Sequence, residues 1–162
     1  MQAIILAAGT GTRLGALTKR NTKCMVEVAG TTLIERMLCS LDAQELTRIV
    51  IVVGYASDCL KSFIATLQIA TDIVYVDNPI FATTNNIYSL ALAKDYLVAE
   101  DSLLLESDII FEEDILTALI DDPRPSLAVV DKYESWMDGT VVTLDAQDHI
   151  KAFIDKPLFS FQ

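Results

Sequence analysis

Five short runs, Ala3–Leu6, Ile49–Val53, Ile73–Val76, Leu103–Leu105 and Leu127–Val130, are apolar throughout and, apart from Tyr75, aliphatic or β-branched, with no charged residue among them. Unbroken apolarity, rather than alternation, is what a strand needs when both of its faces are buried, as in a parallel sheet. Segments with helical spacing lie between these runs. In Thr32–Leu41 the residues Leu33, Ile34, Met37, Leu38 and Leu41 form one apolar stripe. Asp58–Leu67, Asn86–Leu97 and Glu112–Ile120 behave alike, and Glu112, Glu113 and Asp114 suit the positive N-terminal end of the last. Such alternation predicts βαβ units and a doubly wound α/β sheet. After Asp121-Asp122-Pro123-Arg124-Pro125 the pattern changes. Val141–Leu144 and Ile150–Ile154, around a turn at Asp145–Asp148, read as antiparallel additions that make the sheet mixed.

Length and charge narrow the function. A chain of 162 residues, 52% hydrophobic and 22% charged, can bury a real core and fits a single domain over 1–162. Twelve Lys+Arg against 23 Asp+Glu give a net charge of −11, which repels phosphate backbones and anionic headgroups. Nucleic acid and membrane surfaces are therefore not expected partners. No apolar run approaches the roughly 20 residues of a membrane helix. Met1-Gln2-Ala3-Ile4-Ile5-Leu6 lacks a basic leader. The odd cysteine count (Cys24, Cys39, Cys59), without metal-ligand pairing, fits reduced thiols in a cytoplasm. The final stretch, Lys156-Pro157-Leu158-Phe159-Ser160-Phe161-Gln162, comes after a strand pattern with no closing helix. It reads as the front part of a longer protein, truncated at its C-terminus, with Phe159 and Phe161 left for an absent segment, an oligomer contact or a fused downstream domain.

The first strand runs into Leu6-Ala7-Ala8-Gly9-Thr10-Gly11-Thr12-Arg13-Leu14-Gly15. Glycines there let backbone N–H groups approach a phosphate, and ligands of open α/β sheets sit beyond the strand C-termini. The plainer alternative is a tight strand exit with no ligand. A dinucleotide fingerprint is excluded because Leu14 stands where its third glycine belongs, and a P-loop is excluded because Gly-Lys-Ser/Thr is missing. Against the acidic whole, Arg13, Lys19, Arg20 and Lys23 cluster beside these glycines. That clustering favours an anion site for triphosphate or pyrophosphate over a merely solvated basic loop.

Leu103-Leu104-Leu105-Glu106-Ser107-Asp108 sets two carboxylates at the end of a strand. Two apart on an extended chain, they project to the same side. Paired oxygen ligands suit Mg²⁺, which binds through one or two carboxylates plus substrate phosphates; solvated acids at a turn are the alternative. The polar stretch Asp77–Leu90 contains Thr84, Asn85 and Asn86. Asn85 can cap the next helix, while two adjacent amides can also read a pyrimidine edge. Lys132-Tyr133-Glu134-Ser135-Trp136-Met137-Asp138 holds the chain's one Trp between acids, outside any apolar pattern. An aromatic face beside carboxylates suits an ammonium group; a packing lid or an oligomer contact is the competing reading.

Leu6–Leu14, with Lys23, Val26-Glu27-Val28-Ala29-Gly30 and Leu33-Ile34-Glu35-Arg36, resembles the signature of the nucleotidyltransferases that make sugar nucleotides. The resemblance covers nearly the whole chain. It implies a Rossmann-like, GT-A-like nucleotidyltransferase core that transfers a nucleoside monophosphate from a triphosphate to a phosphorylated acceptor. It places Leu6, Ala7, Ala8, Gly9, Thr10, Gly11, Tyr55, Thr84, Asn85 and Asn86 on the nucleotide, with Arg13 and Lys23 as the catalytic cations on its phosphates. Asp108, and with it Glu106, takes the metal, Mg²⁺. The family usually reads Pro-Lys where this chain has Thr22-Lys23. The Asn85-Asn86-Ile87-Tyr88-Ser89-Leu90 wording resembles the branch making CDP-choline and related compounds, including 2-aminoethylphosphonate cytidylyltransferases. Trp136 then falls on an aromatic of the choline pocket. The expected reaction is CTP with phosphocholine or an aminoalkyl phosphonate. Uridylyl or thymidylyl transfer to a sugar 1-phosphate, and a nucleotide-binding module without turnover, stand as rivals.

Overall fold

The computed structural model describes residues 1–11, 21–134, 136–137 and 139–154. Two compact units are present, Met1–Asp122 and Pro123–Gln162. They divide where the sequence pattern changes.

The first unit is built on four strands: β1 (Gln2–Ala7), β4 (Ile49–Val53), β5 (Ile73–Asp77) and β6 (Ser102–Glu106). Between β1 and β4 lies a small antiparallel pair, β2 (Glu27–Val28) with β3 (Thr31–Thr32). The main sheet runs β5-β4-β1-β6, and every pairing in it is parallel. All six residues of β1 and all five of β4 are buried, because these central strands are covered on both faces. One face receives Ile34, Met37, Leu38 and Leu41 of α1 (Leu33–Asp42), Leu60 and Ile64 of α2 (Ser57–Ile64), and Leu116 of α5 (Glu113–Asp121). The other receives Leu90 of α3 (Asn86–Leu92), Tyr96 of α4 (Lys94–Leu97) and Ala93 between them, against Ile4, Leu6, Val50 and Val52. Helices on both faces make the sheet doubly wound, as expected from the alternation.

Local signals explain most boundaries. Thr32 caps α1 by accepting from the Glu35 N–H at 3.2 Å. Glu113 and Asp114 occupy the first turn of α5, where the helix dipole favours anions. Three expectations need correction. The apolar run Leu127–Val130 forms no strand: it pairs with nothing among the described residues, and Val129 and Val130 are exposed. A strand needs a hydrogen-bonded neighbour as well as apolar side chains. The helix expected over Asn86–Leu97 is broken at Ala93, whose φ of −89° and ψ of 11° leave the helical region. That break drives Ala93 itself into the core, with no exposed surface. Finally, Leu104 is 50% exposed although its strand reads as buried on both faces. It sits in register with Ile4 on the α3 face, at the sheet's edge.

In the second unit β7 (Val141–Leu144) and β8 (Ile150–Ile154) pair antiparallel with each other, as expected, but in a two-stranded sheet of their own: among the described residues they add no strand to the four-stranded sheet, whose pairings stay parallel. The Asp145 carboxylate accepts from the Gln147 and His149 N–H groups at 2.8 and 2.9 Å and fixes the turn between them.

Candidate active site

Because the four strands are parallel, their C-terminal ends share one edge of the sheet, and the register sets the exit loops side by side. Leu6 of β1 lies opposite Glu106 of β6, and Ala7 opposite Val53 of β4. Ala8-Gly9-Thr10-Gly11 therefore leaves the sheet between Gly54-Tyr55 on one side and Glu106-Ser107-Asp108 on the other. Leu6 and Ala7 bury their side chains in the two cores. To a ligand they offer only backbone at the strand end. Gly9 is exposed, and a Cβ built on it would meet no atom of the described residues within 4 Å. Among the described residues nothing crowds this position, and the Gly9 backbone lies open. Gly11 has φ of 62°, a left-handed turn that glycine takes without strain. Arg13 lies outside the described residues.

Lys23 reaches this edge from a 3₁₀ turn, Lys23–Met25. The turn is pinned from within by buried Thr22 and Cys24, whose hydroxyl and thiol lie 3.0 Å apart. Anchored on either side, Lys23 points outward and pairs with Asp108. Burial pushes the Cys24 thiol up to about 11, so it serves as an apolar anchor and not a nucleophile.

Asn86 donates from Nδ2 to Glu106 Oε1 at 2.7 Å, which ties the start of α3 to the end of β6. Although Glu106 keeps contact with solvent, the protein packed around it partly desolvates its carboxyl and raises it above the usual range. The Asn86 hydrogen bond opposes that rise, the neighbouring Asp108 adds to it, and Lys23 counters it. Asn85 accepts the Tyr88 N–H at 3.3 Å and caps α3, the local role open to it from sequence.

Reading the sequence overlooked two residues. Asn78 is 2% exposed and organises the loop from inside. It donates to the Thr84 and Ser89 hydroxyls, each at 3.1 Å, and its carbonyl accepts from the Ile80 N–H at 3.1 Å. Gly54 is packed so tightly that a Cβ there would lie 2.8 Å from the Ala8 carbonyl oxygen. A polar residue straight after an apolar strand, and a Gly-Tyr pair ending another, were the available signals. In the second unit Trp136 is 78% exposed, on a loop closed by the Tyr133 hydroxyl donating to the Met137 carbonyl at 3.1 Å.

Two carboxylates two positions apart, Glu106 and Asp108, form a hard-oxygen donor set. Among the described residues no group of three or more His, Cys, Asp or Glu stands ready to hold a metal alone. Such a set fits Mg²⁺, which completes its shell with water and substrate phosphates. No helix of the described residues is long and apolar enough to cross a membrane.

A parallel doubly wound sheet, with a glycine loop, a lysine and paired acids at one edge, defines a nucleotide-handling α/β domain. Residues 2–160 match the nucleotidyl transferase family, and the chain belongs to it. Enzymes of this family generally use a divalent metal. The chain is 33% identical over 155 residues to the CMP-5'-(3-aminopropyl)phosphonate synthase of Streptomyces rubellomurinus, covering 96% of this chain and 24% of that protein. It is also similar to the solved CTP:phosphocholine cytidylyltransferase of Streptococcus pneumoniae, at 34% identity and a TM-score of 0.57, over 70% of this chain and 49% of that one. A shorter stretch of 60 residues is 43% identical to the N-acetylmuramate alpha-1-phosphate uridylyltransferase of Caulobacter vibrioides, covering 37% of this chain and 25% of that protein. The chain thus spans from about a quarter to a half of these relatives' lengths.

Proposed function

We propose that this chain carries the catalytic edge of a cytidylyltransferase that joins CMP from CTP to a phosphocholine or aminoalkyl phosphonate acceptor, releasing pyrophosphate. The observation that carries the reading is the convergence at one sheet edge of the open Gly9 backbone, Lys23 on Asp108, and Glu106 held by Asn86. Cytidylyl transfer is favoured over uridylyl transfer by the relatives that match over most of this chain.

An acceptor phosphate or phosphonate oxygen attacks the α-phosphorus, and the bond to the β-phosphate oxygen breaks. A phosphate monoester has a second pKa near 6, so its oxygen is already a nucleophile at neutral pH and no protein base is needed. The protein's work is alignment and neutralisation of charge. Backbone N–H groups of Ala8–Gly11 cradle phosphate oxygens, and Lys23, with Arg13, supplies positive charge where negative charge develops. Thr84, Asn85, Asn86 and Tyr55 border the nucleotide. Trp136 is assigned to the acceptor's ammonium on its chemistry alone, since an aromatic face attracts a cation. Asp108 and Glu106 would hold Mg²⁺, which supplies Lewis-acid neutralisation of the phosphates when bound. A cytoplasmic location goes with this reading, because the odd cysteine count fits reduced thiols.

The test is product mass. Each of CTP, UTP and dTTP is incubated with Mg²⁺ and phosphocholine, 2-aminoethylphosphonate or glucose 1-phosphate. A CMP adduct of an ammonium-bearing acceptor is expected. A UMP or dTMP adduct of glucose 1-phosphate would replace this reading with the sugar one. Bound CTP with no adduct would leave a nucleotide-binding module.

A further inference from the structure

Gly54, at the end of β4, is crowded on two sides at once. A Cβ there would lie 2.7 Å from Phe81 Cβ, 2.9 Å from Phe81 Cγ and 2.8 Å from the Ala8 carbonyl oxygen. Its φ is outside the left-handed region that Gly11 and Gly30 occupy, so space and not backbone conformation requires glycine here. The two neighbours belong to different loops. Ala8 opens the glycine-rich loop after β1. Phe81 begins the 3₁₀ turn Phe81–Thr83, which delivers Thr84, Asn85 and Asn86.

Both loops are fixed against this point. The Tyr55 N–H donates to the Ala8 carbonyl at 3.1 Å. The Phe81 ring meets the Tyr55 ring edge-on, with centroids 6.1 Å apart. Below the turn, the Asn78 N–H donates to the Val53 carbonyl at 2.8 Å, while its side chain accepts from Ile80. Contacts this short do not occur between real atoms at rest, so an added methyl must displace one loop or both. Ala8, 5% exposed and hydrogen-bonded, moves only by carrying the Gly9–Gly11 amides with it.

We infer that Gly54 and Phe81 are a positioning pair: their packing sets the separation between the loop that cradles the phosphates and the loop that borders the base. Neither residue need touch the nucleotide. The inference rests on the nucleotide site described under Proposed function and adds two residues to those that determine its affinity.

The test is calorimetric titration of the chain with CTP and Mg²⁺, alongside thermal melting. Gly54→Ala and Phe81→Ala should each weaken CTP binding at least tenfold at a temperature where the protein is still folded. Phe81→Tyr, which keeps the ring over Gly54, should bind within about threefold of wild type. Should Gly54→Ala not fold, Phe81→Ala carries the test, since it leaves the strand end unchanged. Wild-type affinity in Phe81→Ala would overturn the inference. So would equal losses in Phe81→Ala and Phe81→Tyr that track only their melting temperatures. If wild type binds CTP and the variants match it, the inference alone falls. If wild type binds no nucleoside triphosphate, the proposed function falls and takes the inference with it.

Discussion

Replacing Asn78 by Ala should show that the loop proposed to border the nucleotide is held from inside the protein. The Asn78 side chain makes three hydrogen bonds, two donated to Thr84 and Ser89 and one accepted from Ile80. At about 1 kcal/mol net for each, their loss amounts to about 3 kcal/mol. Part of this is recovered. Ile80 is exposed, so water can take its N–H, and the Thr84 hydroxyl still donates to the Ile80 carbonyl at 3.0 Å. Ser89 is 3% exposed, out of reach of bulk water. The expected cost is then about 2–3 kcal/mol, or a melting temperature lower by about 4–12 °C for a chain of this size. Asn85→Ala, which removes only the exposed α3 cap, should cost about 1 kcal/mol. Urea and thermal unfolding of both variants give the ranking. Asn78→Ala melting within a degree of wild type, or above Asn85→Ala, would refute the argument, because burial is what separates the two amides.

The geometry sets three further outcomes. Thiol titration at pH 8 should find Cys39 and Cys59 accessible in the native chain and Cys24 reactive only on unfolding, since Cys24 is buried with a thiol pushed up to about 11. The Asp42 carboxyl is held below its usual range, first by the Thr71 hydroxyl and then by the Thr71 and Ala70 N–H groups. A lowered pKa contributes stability above the unfolded carboxyl's value, lost as pH falls through the folded one. Asp42→Asn should therefore melt a few degrees below wild type at pH 7, and the gap should close in acid below about pH 4. Leu38→Ala, at a fully buried site facing the sheet, should cost about 2–5 kcal/mol in urea unfolding.

Much of the fold can be read from periodicity because β1 and β4 are buried on both faces and carry only one polar residue, Gln2. Edges are harder. Leu103–Leu105 and Leu127–Val130 look alike as sequence, yet the first pairs with β1 and the second with nothing described, because pairing depends on neighbours that composition does not encode. Ala93 gave no hint of a helix break, since alanine is the best helix former and its place in the core cluster is set by tertiary packing that the local sequence does not show. In the site, the glycine loop and the Glu106/Asp108 pair are local motifs and visible at once. Contacts distant along the chain are not: Lys23 with Asp108, Asn86 with Glu106, and Gly54 beneath Phe81 appear only when strand order brings them to one edge.

The most direct test of the proposed site is pyrophosphate release from CTP with phosphocholine or 2-aminoethylphosphonate, measured side by side in wild type and Lys23→Ala. Lys23 is 38% exposed and its ion pair lies at the surface, so its loss should change stability by no more than about 1 kcal/mol. On the proposed mechanism Lys23 stabilises the transition state, and removing its charge should lower turnover about 10²–10³-fold. Release by wild type, with that loss in a variant that melts normally, is the predicted result. Equal release by both proteins, or no release from any nucleoside triphosphate with either acceptor, would contradict it.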